Sequence, residues 1–455
     1  MQGKAQQDKT HIIILISLVI LGSCFGSLSQ TALNAMFSGM AADFGVDAAM
    51  GQWVTTLYML VMGITVPSVT FLMRRVPLKG LVLASFGLLL IGAVIDMLAT
   101  SFIVLILGRV LQAVSAGITM PMMISIVMTS FPREKQGTVM GIAGIAMGFA
   151  PNIGPTIGGW MIGFAGWRSF FVALSVCSLV LILLGALLIV RRPQADSSAK
   201  LDVASLVLSA LGFGGLLLGC SNASSFGLAS PYIWVPIVLG AAFLVLYLHR
   251  QKRIEHPLTN LAIFDSWRFR VSFWAANALF ACYMGITLIL PLFIEGLWGG
   301  TAFEAGLALL PGTVAAFIMN PLSGVLVDRI GARPVVVGAS VFLVVGSVAM
   351  AFIDAQTPFW VIIAMQGIRA TGVSGLIAPL TSWGMADLSP EIMTDGSSFS
   401  TAARQACASL GTALMVFAVT ACAGMGAAEL GYHLAFGLSG VFAVMVLCVA
   451  LARVR

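Results

Sequence analysis

Long apolar stretches follow one another along the whole chain, separated by short segments rich in charged, proline and glycine residues. The hydrocarbon core of a bilayer is about 30 Å thick, so a spanning helix needs about 20 consecutive apolar residues. Windows of that length predict fourteen membrane-spanning helices. They lie near 12–36, 50–72, 80–98, 101–126, 136–164, 168–190, 203–220, 231–249, 271–296, 304–326, 334–353, 358–384, 397–423 and 433–452.

The composition supports a membrane protein. Of 455 residues, 59% are hydrophobic and 9% are charged, whereas a soluble domain has about 25% charged residues. The seventh window is interrupted by Gly212, Gly214 and Gly215. Without it, however, the basic loops of the two halves of the chain would lie on opposite sides of the membrane. Charge parity therefore supports the seventh helix.

The positions of Lys and Arg predict the orientation, because positive residues in short loops stay on the cytoplasmic side. With both termini in the cytoplasm, nineteen of the 23 basic residues are cytoplasmic. Arg168 is outside, and Arg109, Arg369 and Arg404 fall within helices. The net charge of +6 therefore reflects topology and contact with the lipid bilayer, and we expect no nucleic-acid partner. All seven cysteines fall inside predicted spans without zinc-like spacing, so no metal and no cofactor is expected.

Landmarks recur along the chain at a nearly constant offset. Pro67 and Arg75 recur 254 residues later as Pro321 and Arg329. The arginine of the fourth helix recurs 260 residues later, in the fourth helix of the second half. Such a repeat predicts two pseudo-symmetric bundles with a substrate site between them, and transport by rocking of one bundle against the other.

The fold class that follows is an all-α membrane protein with two pseudo-symmetric six-helix bundles and two additional central helices. We expect residues 1–192 to form the first bundle and residues 270–455 to form the second. Residues 193–269 would then supply the two extra helices and their cytoplasmic linkers, at the periphery of the bundles.

One loop, 324–333, combines glycines with an acid among bases. It lies between the tenth and eleventh predicted helices, where glycines permit a tight reversal and charges can respond to helix ends. Its landmarks are Gly324, Asp328, Arg329, Gly331 and Arg333. The loop resembles the cytoplasmic signature loop of the major facilitator superfamily, which is thought to latch the inward-closed arrangement. An ordinary positive-inside turn is the alternative.

The counterpart loop in the first half, 70–79, is altered. Arg74 stands where the resemblance implies an acid, and Pro77 stands where it implies a second glycine. The acid-centred network therefore cannot form from this loop alone. We expect Arg75 and Lys79 to retain a contact role.

The fifth helix resembles the signature of the superfamily's exporters, with an alanine replacing one expected glycine. Its residues are Gly141, Ala150, Gly154, Pro155, Gly158 and Gly159. Small residues four apart allow close helix approach, and a proline favours a bend. The resemblance implies export, and generic small-residue packing is the alternative.

The fourth helix holds Arg109 and Gln112, similar to the superfamily motif whose buried arginine is implicated in proton transfer. An arginine at the bilayer centre costs about 2.5–3.5 kcal/mol on insertion scales, so it should face a polar interior. Arg369 and Arg404 add two further cations. A purely structural arginine is the alternative.

The whole chain resembles the fourteen-helix drug:proton antiporters, through Gln52 to Tyr58 in the second helix and Arg404 with Gln405 in the thirteenth. It departs from them at Ser29, which stands where an acid is usual and can neither carry a proton nor pair with a cation.

Buried acids are scarce. The candidates for proton coupling are Asp96, near the outer end of the third helix, and Glu295, near the outer end of the ninth; either could instead be a hydrated charge at the rim. Polar groups that could line a substrate cavity are Asn34, Tyr58, Asn277, Tyr283 and Asn320.

The resemblance implies proton-coupled export of small amphipathic or lipophilic compounds, by a monomer in the inner membrane of a bacterium. The nearest alternative is an exporter or uniporter of a specific anionic or neutral metabolite or lipid, without proton coupling. A lipid-processing membrane enzyme is a remote alternative, because the four histidines are dispersed. We therefore expect no enzyme activity.

Overall fold

The computed structural model describes residues 2–46, 48–190, 202–222, 230–254 and 257–454. Some side chains of the first two helices, that of Asn34 among them, lie outside the described part. Fourteen helices of the described residues are long and apolar enough to span a membrane, which confirms the fourteen predicted from hydropathy. The weak seventh window is one of them.

Fourteen helices of the described residues follow one another along the chain. They are α1 (Gln2–Phe44), α2 (Ala48–Thr65 and Val69–Arg75, joined by the turn Val66–Ser68), α3 (Leu78–Met97), α4 (Phe102–Ser130), α5 (Arg133–Gly144 and Ala150–Ala165, joined by the π turn Ile145–Phe149), α6 (Arg168–Leu188), α7 (Val203–Asn222), α8 (Pro231–Gln251), α9 (Trp267–Phe293, followed by the π turn Ile294–Trp298), α10 (Ala302–Ile330), α11 (Ala332–Met350), α12 (Phe359–Met385), α13 (Met393–Gly424) and α14 (Ala428–Arg453).

Polar residues and glycines mark the ends of these helices. Ser101 and Ser266 accept hydrogen bonds from backbone N–H groups in the first turns of α4 and α9. Thr301 and Glu304 form a reciprocal capping box at the start of α10. Gly331, with φ of 87°, separates α10 from α11. Capped helices satisfy their own backbone polar groups, as hydrocarbon requires.

Two bundles, α1–α6 and α9–α14, repeat the same packing. In the first, α1 packs on α5 and α3 on α4; in the second, α9 packs on α13 and α11 on α12. Gly92 brings α3 close to Gln112 of α4. Gly346, which lies 254 residues later, brings α11 close to Arg369 of α12. The same close approach thus holds the third and fourth helices of each bundle together.

The bundles meet through α5, which packs on α10 and α12, and through α4, which packs on α13. Gly141 makes this approach possible, because an added Cβ would lie 2.7 Å from the Asn320 carbonyl oxygen and 3.1 Å from the Gly324 Cα. The ends of the helices that carry Arg74, Asp328 and their neighbouring bases lie on one side of the protein. We name this side the basic face.

The inserted hairpin, α7 and α8, is only partly peripheral, which corrects the expectation from sequence. Of the three glycines that weaken the α7 pattern, Gly212 and Gly215 bring it against α8, since a Cβ at Gly215 would lie 2.8 Å from the Gly240 Cα. Gly214 instead faces Ile64 of α2. The other side of α7 packs on α2 and α13, one helix from each bundle. Phe213 makes an edge contact with Phe399 at 6.1 Å between ring centroids. The hairpin therefore covers a seam between the bundles.

Candidate functional site

A network of buried hydrogen bonds joins α1, α3 and α4 inside the first bundle. Arg109 Nη1 donates to Ser29 Oγ and to Gln112 Oε1, each at 2.7 Å, and Arg109 Nη2 donates to the Ser29 carbonyl oxygen at 3.0 Å. Gln112 Nε2 donates to Asp96 Oδ2 at 2.7 Å. All four residues are completely buried. An acid, Asp96, and a guanidinium, that of Arg109, are thus linked through one amide.

Tyr58 and Gly108 complete the walls of this cluster. The Tyr58 ring lies under the guanidinium, with its centroid 4.3 Å from Arg109 Cζ, and its hydroxyl donates to the Gly26 carbonyl oxygen at 2.8 Å. Gly108 lies directly against the Asp96 carboxylate, where a side chain would collide with it. An aromatic face and a nearby carboxylate both stabilise a desolvated guanidinium.

The environment of Asp96 distinguishes it from the acids at the rim. It is completely buried, and its Oδ1 has no hydrogen-bond partner among the described residues. Outside the spans, hydrogen bonds from Trp167 and Arg168 lower the pKa of Asp43, and one from Thr357 lowers the pKa of Asp354. Asp43 is exposed and Asp354 is half-buried, and both acids therefore stay ionised at neutral pH.

Ser29 does more than the sequence suggested. Although it replaces an acid, its hydroxyl accepts from Arg109 while donating to Gln112 Oε1 at 2.6 Å. Ser29 forms no ion pair, as expected of an uncharged side chain, yet its hydroxyl and its own carbonyl bind the guanidinium without carrying charge. Ser29 still cannot carry a proton.

The second bundle repeats the arginine without its acid. Arg369 Nη2 lies 3.5 Å from the Tyr283 carbonyl oxygen, and Tyr283 is 254 residues beyond Ser29. Both arginines therefore approach the same backbone position of the repeat. Met350, however, stands 254 residues beyond Asp96 and is completely buried. Only the first bundle has an acid at this position of the repeat.

Arg404 lies in α13, away from both of these sites. Its Nη2 donates to Thr401 Oγ1 at 3.0 Å, and its Cζ lies 5.3 Å from the centroid of the Phe280 ring. The side chain lines a small cavity among α9, α12 and α13. The cavity is lined by Phe269, Ser272, Phe273, Ala276, Asn277, Thr381, Met385, Ser400 and Arg404.

Two further cavity candidates, Tyr283 and Asn320, meet the π turn of α5 between the bundles. The Tyr283 hydroxyl lies 3.5 Å from the Gly148 carbonyl oxygen. Asn320 is buried beneath Gly144 and Gly148, donates to its own helix at 2.8 Å, and leaves Oδ1 without a partner among the described residues. The discontinuity in α5 thus places polar groups of both bundles together.

The bundles are also joined at the basic face by two charged contacts. Asp328 accepts hydrogen bonds from the backbone N–H groups of Gly137 and Thr138, at 2.9 and 2.6 Å, and from the Thr138 hydroxyl at 2.6 Å. Because these donors lie in the first turns of α5, the carboxylate also meets the positive end of that helix. Arg74 forms an ion pair with Asp395 of α13 at 3.0 Å.

Arg74 makes the contact between bundles in the altered loop. Lys79 has a contact role, as expected, although not across the interface. Lys79 Nζ donates to the Ala186 carbonyl oxygen of α6 at 2.6 Å, within its own bundle. Arg75 is exposed. In the counterpart loop, Arg329, Gly331 and Arg333 are exposed, while Gly324 packs against α5.

Comparison with known proteins decides the family. The family model described as "Major Facilitator Superfamily" matches residues 19–414. The chain belongs to the Major Facilitator Superfamily. It is therefore a multi-pass membrane transporter and not an enzyme.

Individual superfamily members are similar over most of their length. The lincomycin resistance protein LmrB of Listeria monocytogenes is 30% identical over 98% of this chain and 96% of its own. The riboflavin transporter RibZ of Clostridioides difficile is 27% identical over 88% of this chain and 86% of its own. The crystal structure of the human organic anion transporter MFSD10 matches with a TM-score of 0.68 at 12% identity, covering 96% of this chain and 99% of that one, which shows the superfamily fold alone.

The α5 residues that resemble the superfamily's exporter signature form two contact surfaces. Gly154 and Gly158 lie against α1 at Thr31 and Ala32, while the part before the π turn lies against α10. Ala150 is buried, Pro155 is inside the helix and Gly159 is exposed. The small residues therefore allow α5 to contact both bundles.

Glu295 does not join the buried cluster. It lies in the π turn that follows α9, and its side chain is exposed. Hydropathy placed it near the end of a helix but could not determine which way the side chain would face.

Sequence reasoning missed Asp395 and Thr138. Asp395 is completely buried near the start of α13, a helix start equivalent to that of α5. The signal was an acid directly before Gly396, the glycine that matches Gly137 in the repeat. Thr138 carried no distinguishing signal, since its role depends on how closely α10 approaches α5.

Proposed function

We propose that this transporter exports small amphipathic or lipophilic compounds in exchange for protons, by alternating access. The observation that carries the proposal is the buried link from Asp96 through Gln112 to Arg109. An acid that is removed from water and coupled to a cation can exchange a proton and thereby change the charge balance of the cluster. Relatives named for lincomycin and multidrug resistance support export as the direction.

In this proposal the proton binds at Asp96 when the chamber opens outward. Asp96 Oδ1 has no partner among the described residues, so this oxygen can accept the proton while Oδ2 keeps the hydrogen bond from Gln112. Neutral Asp96 no longer balances Arg109, whose remaining partners Ser29 and Tyr58 are neutral. The imbalance favours a rearrangement of α1 against α4, and release of the proton inward restores the pair.

The proposal assigns the basic face to the cytoplasm, with both termini inside, on the ground that positive loops are retained there. The contacts of Arg74 and Asp328 across this face then hold the cytoplasmic side closed. Breaking both contacts would let a compound enter from the cytoplasm or the inner leaflet of a bacterial inner membrane. The two bundles of one chain enclose the whole path, so a monomer suffices.

A second candidate is a carrier of one specific metabolite that moves no proton. Ser29 in place of an acid, and the riboflavin transporter among the relatives, favour it. The two candidates differ in one property, namely whether substrate movement is accompanied by proton flux.

The test uses everted membrane vesicles energised to hold an acidic interior, with lincomycin and riboflavin in the panel of added compounds. Export activity should dissipate the pH gradient when a transported compound is added. Asp96→Asn should abolish this dissipation, whereas Asp354→Asn, a matched change at an acid outside the spans and outside the buried cluster, should not. If vesicles with either variant take up the compound, and vesicles with the parent take it up without moving protons, the second candidate is favoured.

A further inference from the structure

Arg404 is a buried cation that the proton cycle proposed above does not use. Its residue is 5% exposed, and its contacts to Thr401 and Phe280 are both to uncharged groups. Within the described part of the chain, no carboxylate forms an ion pair with it. A desolvated guanidinium without an anion is costly, so a partner that arrives during the transport cycle would stabilise it.

The cavity beside Arg404 offers further recognition groups. Asn277 is 4% exposed, and its Oδ1 has no hydrogen-bond partner among the described residues. Ser400 adds a hydroxyl, and Phe269 and Phe273 add two aromatic walls. The cavity therefore combines a cation, an acceptor that lacks a donor, and two aromatic surfaces. Its volume is about 10 Å³, so the helices that line it must separate during the transport cycle before it can hold a ring.

The other two buried arginines lack this combination. Arg109 is already linked to Asp96 through Gln112. Arg369 is held close to Gly346 and to the Tyr283 carbonyl oxygen. Neither lines the cavity that contains Arg404. An anion arriving from outside the protein would therefore gain most by binding at Arg404.

We propose that the cavity between α9, α12 and α13 binds the carboxylate of an aromatic monoanion whose ring also carries a hydroxyl or amide N–H. Arg404 accepts the carboxylate as its counter-ion, Asn277 Oδ1 accepts the ligand's N–H or O–H, and the phenylalanines hold the ring. This inference rests on the proposed export function, whose substrate class it narrows. The charge of Arg404 disfavours cations at this cavity.

The test measures equilibrium binding of two matched probes to the purified full-length protein in detergent. The probes are 6-hydroxy-2-naphthoate and 6-hydroxy-2-naphthamide, which differ in charge but hardly in shape and whose hydroxyl cannot bond to their own carboxyl or amide group. The parent should prefer the naphthoate. Arg404→Gln should weaken naphthoate binding about tenfold or more and naphthamide binding less than about threefold, as expected for losing one charge-assisted contact. Arg369→Gln, a change at a buried arginine outside the cavity, should leave the preference intact.

Two further variants distinguish the loss of a specific contact from a loss of folding. Arg404→Lys keeps the charge and should retain the preference. Asn277→Asp adds a negative charge to the same cavity and should reduce it. Equal preference in the parent and Arg404→Gln, with both proteins monodisperse, overturns the inference. If that result accompanies intact proton-coupled export of lincomycin in vesicles, the proposed function stands without the site. If the preference holds but no compound is exported, the site stands and the function fails.

Discussion

Arg74 and Asp328 stand 254 residues apart at equivalent positions of the two bundles, carry opposite charges, and each contacts the opposite bundle at the basic face. Asp328 meets the backbone N–H groups at the start of α5, whereas Arg74 meets the side chain of Asp395 near the start of α13. The altered loop, 70–79, has no acid of its own, and Asp395 of α13 supplies the acid instead. One contact uses a helix end, and the other uses an ion pair.

Reversing the charge of Arg74 should open the basic face. Arg74→Asp places two carboxylates together, because Asp395 is buried and cannot turn into water. A single cysteine introduced at Ser125, which contacts Thr394 across the same interface at 2.7 Å, should then react with a maleimide about threefold faster or more in a background without native cysteines. The double change Arg74→Asp with Asp395→Arg should restore slow labelling. Arg75→Asp, at the exposed neighbour, is the control, and faster labelling there would argue against a specific latch.

Filling the contact between α5 and α10 should weaken the closed arrangement. Gly141→Ala puts a Cβ against the backbone of Asn320 and Gly324, and overpacking of this kind costs about 1–3 kcal/mol. A lower apparent Tm and a faster reaction at the same cysteine are expected. Gly163→Ala in the same helix meets open space and should change neither quantity. Equal effects of the two alanines would mean that helix propensity, not the interface, was measured.

A methyl group placed against Asp96 should uncouple substrate movement from proton movement, although the acid itself is retained. Gly108→Ala collides with the Asp96 carboxylate and lies close to the Gly92 carbonyl oxygen, at 2.7 Å. The hydrogen bond from Gln112 should be lost, so the variant should show reduced substrate-induced proton flux, approaching that of Asp96→Asn. Gly87→Ala in α3 has no neighbour within 4 Å and is the matched control. Normal proton flux in Gly108→Ala would separate Asp96 from coupling.

Asp202, directly before α7, forms an ion pair with Arg250, near the end of α8. This pair should stabilise the protein equally over the pH range of transport. Hydrogen bonds from Arg250 hold the pKa of Asp202 at about 2, below its ordinary value of about 3.9. A lowered pKa stabilises the folded state above the unfolded pKa, and the effect is lost only as pH falls through the folded value. Asp202→Asn should therefore lower the apparent Tm by the same amount at pH 5.5 and pH 7.5. A difference between those two values of pH would contradict this account of the pair.

Hydropathy was sufficient to predict the fourteen helices, because a bilayer constrains helix length strongly, whereas the superfamily fold was expected from the resemblance of the loop and helix motifs. They also indicated that Arg109 and Gln112 belong together, since residues three apart share a helix face. The contacts to Ser29 and Asp96 depend on how α1 and α3 approach α4, and no local pattern encodes that. The pairing of Arg74 with Asp395 spans 321 residues and was invisible for the same reason.

The most direct test of proton-coupled export is to measure the balance point in proteoliposomes, which is the compound gradient at which net transport stops. Opposing gradients of a transported compound, for which lincomycin is the first probe, and of protons are varied until net flux stops. In the parent, the compound gradient at balance should rise in proportion to the imposed pH gradient, and in Asp96→Asn it should not depend on the pH gradient. A balance point in the parent that does not change with the pH gradient would contradict proton-coupled export by this chain.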